Sequence, residues 1–432
     1  MTTWKRTFGI HICCSVLILA FLIAVPVITT SASGEAEAVA KAGSALRKDP
    51  LGRLPSSPEE AHQRLGEREI AWPDGAAEGD CGAAALIEGV QAGLRITIPY
   101  DTVEGYVSNG GANVKVELKS GVIVKETKTV TAGADGWFKA DMSAGDIQSG
   151  DTVEVTDLAG GPMVAVDCTL TGNIDFVNNL VGGASVTGNN VAAYIIAPST
   201  YYADVPPGAA SQQGGVGPGG AYLLGSFGID LRPGDAAYVF STNPNGHRVM
   251  NAATGSGTSL VVYPQYNDVM GYYIPGTALT VNAGTASRNV TTLNDGFFEA
   301  WFSDFAIVPG TTVSANMGGA RNIIVRDVSA VCDPGANVVH GTAPASRPIR
   351  VTMNPYGNPV VYETTSNASG NFEVSLGGAF TATGTEVYNV TWYDDESDAV
   401  VYEFQTFSWY LAEGYTGGSF DTWVLVQNPG VD

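Results

Sequence analysis

From about Leu94 onward, apolar and polar residues alternate with a period of two. Val114, Val116 and Leu118 share one face of such a segment, as do Leu279 and Val281, and Ile349, Val351 and Met353. Phe298, Ala300 and Phe302 repeat the pattern, and so do Phe372, Val374 and Leu376. Successive side chains of a strand point to opposite faces, so each segment predicts a half-buried strand. Turn residues interrupt these segments about every 8–12 residues, the rhythm of a β-sandwich. Upstream the pattern differs. Val16 to Ile28 is one apolar run, and Glu35 to Lys48 is rich in alanine and charge. Ser57-Pro58-Glu59-Glu60 reads as a helix start, with Ser57 as N-cap, Pro58 at the first helical position and Glu60 closing a capping box.

Glycine punctuates the β region at a fixed interval. Gly136, Gly220, Gly296 and Gly370 are each followed 14 residues later by Gly150, Gly234, Gly310 and Gly384. Two residues after each first glycine comes an aromatic: Phe138, Tyr222, Phe298 or Phe372. Each unit opens with a Val-x-Gly step, read at Val103/Gly105, Val186/Gly188, Val269/Gly271 and Val339/Gly341. The pattern predicts four equivalent modules with the four aromatics buried alike. The organisation expected is a signal peptide over 1–33, a linker with short helices over 34–95, and β-sandwich modules over 96–168, 180–255, 262–333 and 334–406. The start of a further, truncated β module follows over 407–432. In the second module, Tyr201 to Gly220 is a Pro/Gly/Gln-rich insertion expected to project from one end.

The residues Val103-x-Gly105, Val114-x-Val116, Asp135-Gly136-Trp137-Phe138 and Gly150-Asp151-Thr152-Val153, with their counterparts, resemble the Ig-like and carboxypeptidase-regulatory-like sandwich modules of secreted bacterial proteins. The resemblance covers most of 96–406. It implies an all-β chain of tandem Ig-like β-sandwich modules serving as spacers, stalks or binding units without catalysis of their own. The string Trp409-Tyr410-Leu411-Ala412-Glu413-Gly414 through Trp423 to Asn428-Pro429 resembles the opening of an uncharacterised repeat of secreted actinobacterial proteins. That implies a truncated product, or an incomplete module folded onto the fourth sandwich.

Charge and cysteine content narrow the compartment. Lys5 and Arg6 precede the apolar run, and Ser31, Ala32 and Ser33 offer a cleavage site, as in an export signal. An uncleaved anchor is the alternative; His11 and the short core favour cleavage. The chain carries 21 basic and 43 acidic residues, a net charge of −22. Without Lys5 and Arg6 the count is 19 against 43, a net charge of −24. Such a chain repels phosphate backbones, so nucleic acid is excluded as an expected partner. Of the five cysteines, Cys81, Cys168 and Cys332 lie beyond the apolar run, and an odd number cannot pair completely within one chain. Cys168 and Cys332 each read as ending a module, and buried free thiols are the expectation.

Signals for chemistry are sparse. Gly215-x-Gly217-x-x-Gly220 matches the dinucleotide fingerprint in form, but Pro218 sits inside it, and neither a leading strand nor a following helix is expected. His62, His247 and His340 read as loop histidines, with no nucleophile elbow beside them. Asp394-Asp395-Glu396-Ser397-Asp398 concentrates acid, as a solvated turn or a weak Ca²⁺ site. No catalytic, cofactor or metal residue is therefore assigned. Trp137, Phe297 and Trp301 fall on the face opposite the core aromatics, where they would contact a ligand or a neighbouring module. Two functions fit. One is a non-enzymatic, secreted or cell-surface bacterial protein, a stalk, adhesion or binding scaffold for an extracellular glycan or protein. The other is a glycan-binding accessory chain of a secreted hydrolase. A membrane role is expected only through the signal segment, if it stays uncleaved.

Overall fold

In the computed structural model, the described residues are 93–201, 209–255, 257–355, 359–378, 380–384 and 386–406. All lie within one compact unit, Arg53–Asp432. The expectations for the signal segment, the linker helices, His62, Cys81 and the string from Trp409 lie outside the described residues. The chain is all-β, as expected, and each module is a seven-stranded sandwich.

The first module holds β1 (Arg95–Thr97), β2 (Thr102–Tyr106), β3 (Asn113–Ser120), β4 (Ile123–Thr131), β5 (Trp137–Asp141), β6 (Thr152–Asp157) and β7 (Met163–Asp167). The order β1-β2-β5 forms one layer and β4-β3-β6-β7 the other. The second module repeats this with β8 (Asn173–Asp175), β9 (Leu180–Ala184), β10 (Asn190–Ile196), β11 (Ala210–Gly215), β12 (Ala221–Gly225), β13 (Ala236–Thr242) and β14 (Arg248–Gly255). The third has β15 (Val261–Tyr263), β16 (Asp268–Tyr272), β17 (Ala278–Ala283), β18 (Ala286–Thr291), β19 (Phe297–Trp301), β20 (Thr312–Asn316) and β21 (Ala320–Ile324). The fourth has β22 (Ser329–Asp333), β23 (Val338–Thr342), β24 (Pro348–Met353), β25 (Val360–Thr365), β26 (Asn371–Ser375), β27 (Val387–Tyr393) and β28 (Ala399–Gln405).

The glycine repeat has two physical roots. Gly136, Gly220, Gly296 and Gly370 all have φ between +81° and +88°, which a side chain rarely adopts. They turn the chain so that the aromatic two residues on enters the core. Phe138, Tyr222, Phe298 and Phe372 are all buried, each the second residue of its strand. Each faces a glycine across the ladder: Gly105 opposite Phe138, Gly183 opposite Tyr222, Gly271 opposite Phe298 and Gly341 opposite Phe372. A Cβ on Gly105 would come within 3.2 Å of the Phe138 ring and 2.6 Å of Leu94. The cross-strand glycine is therefore the seat of the ring.

That pairing corrects the second module's opening, which is Val181-x-Gly183 and not Val186/Gly188. Gly188 instead lies in the turn before β10, with φ +88°. The fourth module begins before residue 334, because β22 pairs with β23. Cys332 thus lies on an opening strand, while Cys168 does follow the last strand of the first module. Both are free thiols, and burial pushes that of Cys168 up to about 12. Part of the 201–220 insertion is not a projecting loop. Ala210–Gly215 pairs with β10 along its whole length. Its glycines and glutamines hid a strand held mainly by its backbone pairing to β10, with Gln212 Nε2 donating to the Ser226 carbonyl.

The modules fold back in pairs. β1 of the first module runs parallel to β14 of the second, with Ile96 beside Val249. β15 of the third runs parallel to β28 of the fourth, with Val262 beside Val400. One hydrophobic core spans modules one and two, and a second spans modules three and four. A third core lies between the pairs. Strands at that face have both sides buried. Along β13, Ala237 and Val239 enter the first core, while Ala236, Tyr238 and Phe240 enter the third.

Candidate functional site

The face between the pairs gathers the most unusual chemistry of the described residues. One end is aromatic. Tyr201, Tyr272 and Phe297 meet edge to face, with ring centroids 5.3–5.8 Å apart. Tyr100 and Tyr238 both donate to Asp295 Oδ2, at 2.8 and 3.0 Å. Asp295 Oδ1 accepts the Phe297 N–H at 2.9 Å. The acid of the third module's Asp-Gly turn therefore ties all of the first three modules together. Asp295→Ala should cost about 1–3 kcal/mol, because two tyrosines and a turn lose this acceptor at once. Urea unfolding followed by tyrosine fluorescence checks this; a loss below about 0.5 kcal/mol would count against the tie.

The other end is polar and equally buried. Alternation on β24 and β27 sends Val351 and Val390 into the fourth module's core, so Arg350, Thr352, Asn389 and Thr391 face the second module. All four are fully buried. Arg350 donates to Asp235 Oδ1 at 3.2 Å, to the Asp230 carbonyl at 2.8 Å and to Glu363 Oε1 at 3.1 Å. Its guanidinium lies 5.4 Å from the centre of the Tyr393 ring. Burial works against its charge, but Tyr393, Asp235 and Glu363 more than offset this, so its pKa is raised. Thr352 and Ser199 share a hydroxyl hydrogen bond of 2.8 Å, and Asn389 Nδ2 donates to the Ser199 carbonyl at 2.8 Å.

The three aromatics singled out from the sequence do not form one surface. Phe297 is buried between the pairs. Trp137 is half-buried at the start of β5, beside Tyr106. Trp301 is half-buried at the end of β19, and its carbonyl accepts from Arg288 Nε at 2.9 Å. Of the two described histidines, His247 lies in the loop between β13 and β14, as expected, and His340 does not lie in a loop. His340 is central in β23, and His247 is buried just before β14. The Gly215–Gly220 segment joins β11 to β12, so a strand does lead in, but another strand follows in place of the helix a dinucleotide needs. The acidic turn is not wholly solvated. Asp394 Oδ1 accepts the N–H groups of Glu396 and Asp398, Asp395 pairs with Arg347, and Asp398 is buried against Arg321.

Two open depressions complete the picture. A groove of about 510 Å³ on the fourth module is lined by His340, Thr342, Thr364, Asn371 and Glu373, with His340 and Glu373 opposite in register. A smaller one, about 340 Å³, lies where Asp101, Asp146, Asn251 and Asn294 converge from the first three modules. Among the described residues, no group of three or more histidines, cysteines or carboxylates is set to hold a metal ion.

No protein-family profile matches the chain, and no curated protein sequence does. Solved structures similar to it include a tetra-tandem repeat from the extending region of a large adhesion protein, at 14% identity over 74% of this chain and 99% of that one, with a TM-score of 0.15. A Ca²⁺-stabilised adhesin with which an Antarctic bacterium binds ice shows 16% identity over 74% and 99%, with a TM-score of 0.14. The BSP domain of a biofilm-associated protein shows 9% identity over 74% and 96%, with a TM-score of 0.16. At such TM-scores these likenesses carry no argument about what this chain does.

Proposed function

We propose that this chain is a non-enzymatic extracellular scaffold whose four sandwiches form a folded-back binding head. The supporting observation is the face between the pairs. A flexible spacer has no use for a fully buried arginine bonded across modules, whereas a rigid head does. Export rests on the signal-like residues 1–33, and the low ratio of basic to acidic residues argues against nucleic acid as the partner. A glycan is the second reading. The groove beside His340, Thr342, Asn371 and Glu373 favours it, since hydroxyl-rich ligands need such donors and acceptors.

Immobilised full-length chain, probed with a glycan array and with extracellular matrix proteins, tests both. Binding without turnover of an ester, peptide or glycoside panel is the expected result. Glycan binding that is lost in Glu373→Ala and retained in Trp137→Ala would favour the groove. Turnover that disappears in His247→Ala or His340→Ala would overturn the non-enzymatic reading.

A further inference from the structure

The two parallel junctions are built alike, down to single atoms. At the first, the Leu94 N–H donates to His247 Nδ1 at 3.2 Å, and the Leu94 carbonyl accepts the Arg248 N–H at 2.7 Å. At the second, the Leu260 N–H donates to Asp398 Oδ1 at 2.7 Å, and the Leu260 carbonyl accepts the Ala399 N–H at 2.8 Å. Each leucine precedes the first strand of its pair. His247 and Asp398 each precede the last. All four side chains are buried. One structural position is thus filled by an imidazole in one pair and by a carboxyl in the other.

The two groups answer acid differently. Nδ1 accepts a hydrogen bond only while it carries no proton. A proton there would set one N–H against another and leave the buried Leu94 amide without its acceptor. A carboxyl keeps an acceptor oxygen after protonation, so the Leu260 bond survives. We propose that the His247–Leu94 bond is an acid-released latch on the first pair, and that Asp398 is its acid-tolerant counterpart on the second.

The charged surroundings agree with this assignment. The strands meeting beside His247 bring Arg95 and Arg248, opposite one another on the first rung. From its own loop, Asn243 Oδ1 accepts the His247 N–H. Burial holds the imidazole below its ordinary pKa. The folded junction therefore prefers the neutral ring. Its contribution is complete above about pH 6.5 and is lost as pH falls through the lowered value. Asp398 faces Arg321 at 3.1 Å, Asp394 through its own N–H, and Glu396 through Arg321. Burial, the largest influence, pushes its carboxyl up to about 7. The second junction therefore holds its proton preferentially and weakens as pH rises from about 4 towards that value.

Amide hydrogen exchange on the full chain at about pH 7.5 and about pH 4.5, corrected for intrinsic rates, reads both latches. Protection at Leu94, Ile96 and Arg248 should fall tenfold or more on acidification, while protection at Leu260, Val262 and Ala399 holds. His247→Asn keeps an acceptor that does not titrate and should abolish the acid effect. The exchange His247→Asp with Asp398→His should move the effect to Leu260. Equal acid loss at both junctions of the wild type, or an undiminished loss in His247→Asn, would overturn the proposal; the single variant decides it even where the double exchange does not fold.

Discussion

Arg350→Ala should destabilise the protein by about 3–5 kcal/mol, the usual cost of removing one partner of a buried ion pair. The guanidinium is fully buried and bridges Asp235, Glu363 and the Asp230 carbonyl. Truncation strands the Asp235 carboxylate, which is itself fully buried, and leaves a cavity under Tyr393. The loss should come mostly from the orphaned charge. Arg350→Met combined with Asp235→Asn removes both charges, keeps the volume, and should recover most of the stability. Urea midpoints of the single and double variants separate these contributions. A single variant within about 1 kcal/mol of the wild type would mean that the pairs do not close on each other in solution.

The second large effect belongs to the ring seated on a glycine. Phe138→Ala should cost about 3–5 kcal/mol. Gly105→Ala should cost about 1–3 kcal/mol, because its new methyl would meet Leu94 and the Phe138 ring. The two are not independent. Once the ring is gone the Leu94 side chain, the nearest clash, can swing into the vacated space, so the double variant should cost less than the sum of the singles by about 0.5–3 kcal/mol. A double-mutant cycle measures this directly, and strict additivity would refute the seat. Gly271–Phe298 offers a second test of the same design, because a Cβ on Gly271 would come within 2.7 Å of the Phe298 ring.

These two effects mark what the sequence reveals and what it hides. The module is legible because its signals are local. A positive-φ glycine, an aromatic two residues on and a period-two face all fall within one turn and the strand that follows it. The second module was the hard case. Its doubled glycine, Gly182-Gly183, blurred the Val-x-Gly step, and β11 carries no branched residue to announce a strand. The pairing of modules is not local. Arg350, Thr352, Asn389 and Thr391 alternate with apolar residues just as solvent-facing positions do, so their burial leaves no mark on the pattern. A signal did exist elsewhere. Ala236 to Phe240 and Leu260 to Tyr263 are unbroken apolar runs, and such runs belong to strands covered on both faces. Phe297, adjacent to the core aromatic Phe298, carries the same message. The groove on the fourth module left no mark on the sequence for a related reason. His340 and Glu373 are brought together by a ladder between strands 33 residues apart, and neither stands out alone.

The parallel junctions also set a timetable for assembly. Leu94 waits for a partner 153 residues further along, and Leu260 for one 138 residues on. At ordinary rates of synthesis that delay is on the order of ten seconds, during which the outer edge of β1 has nothing to pair with. The first sandwich therefore cannot finish before the second has emerged, and folding should advance by twos. Long-range parallel pairing of this kind is slow to form, and an unpaired edge invites association with other chains. A fragment ending after Cys168 keeps that edge open and should pair through it with other chains, whereas one ending after Gly255 supplies β14, closes the edge and leaves only the face of Tyr238 and Phe240 uncovered.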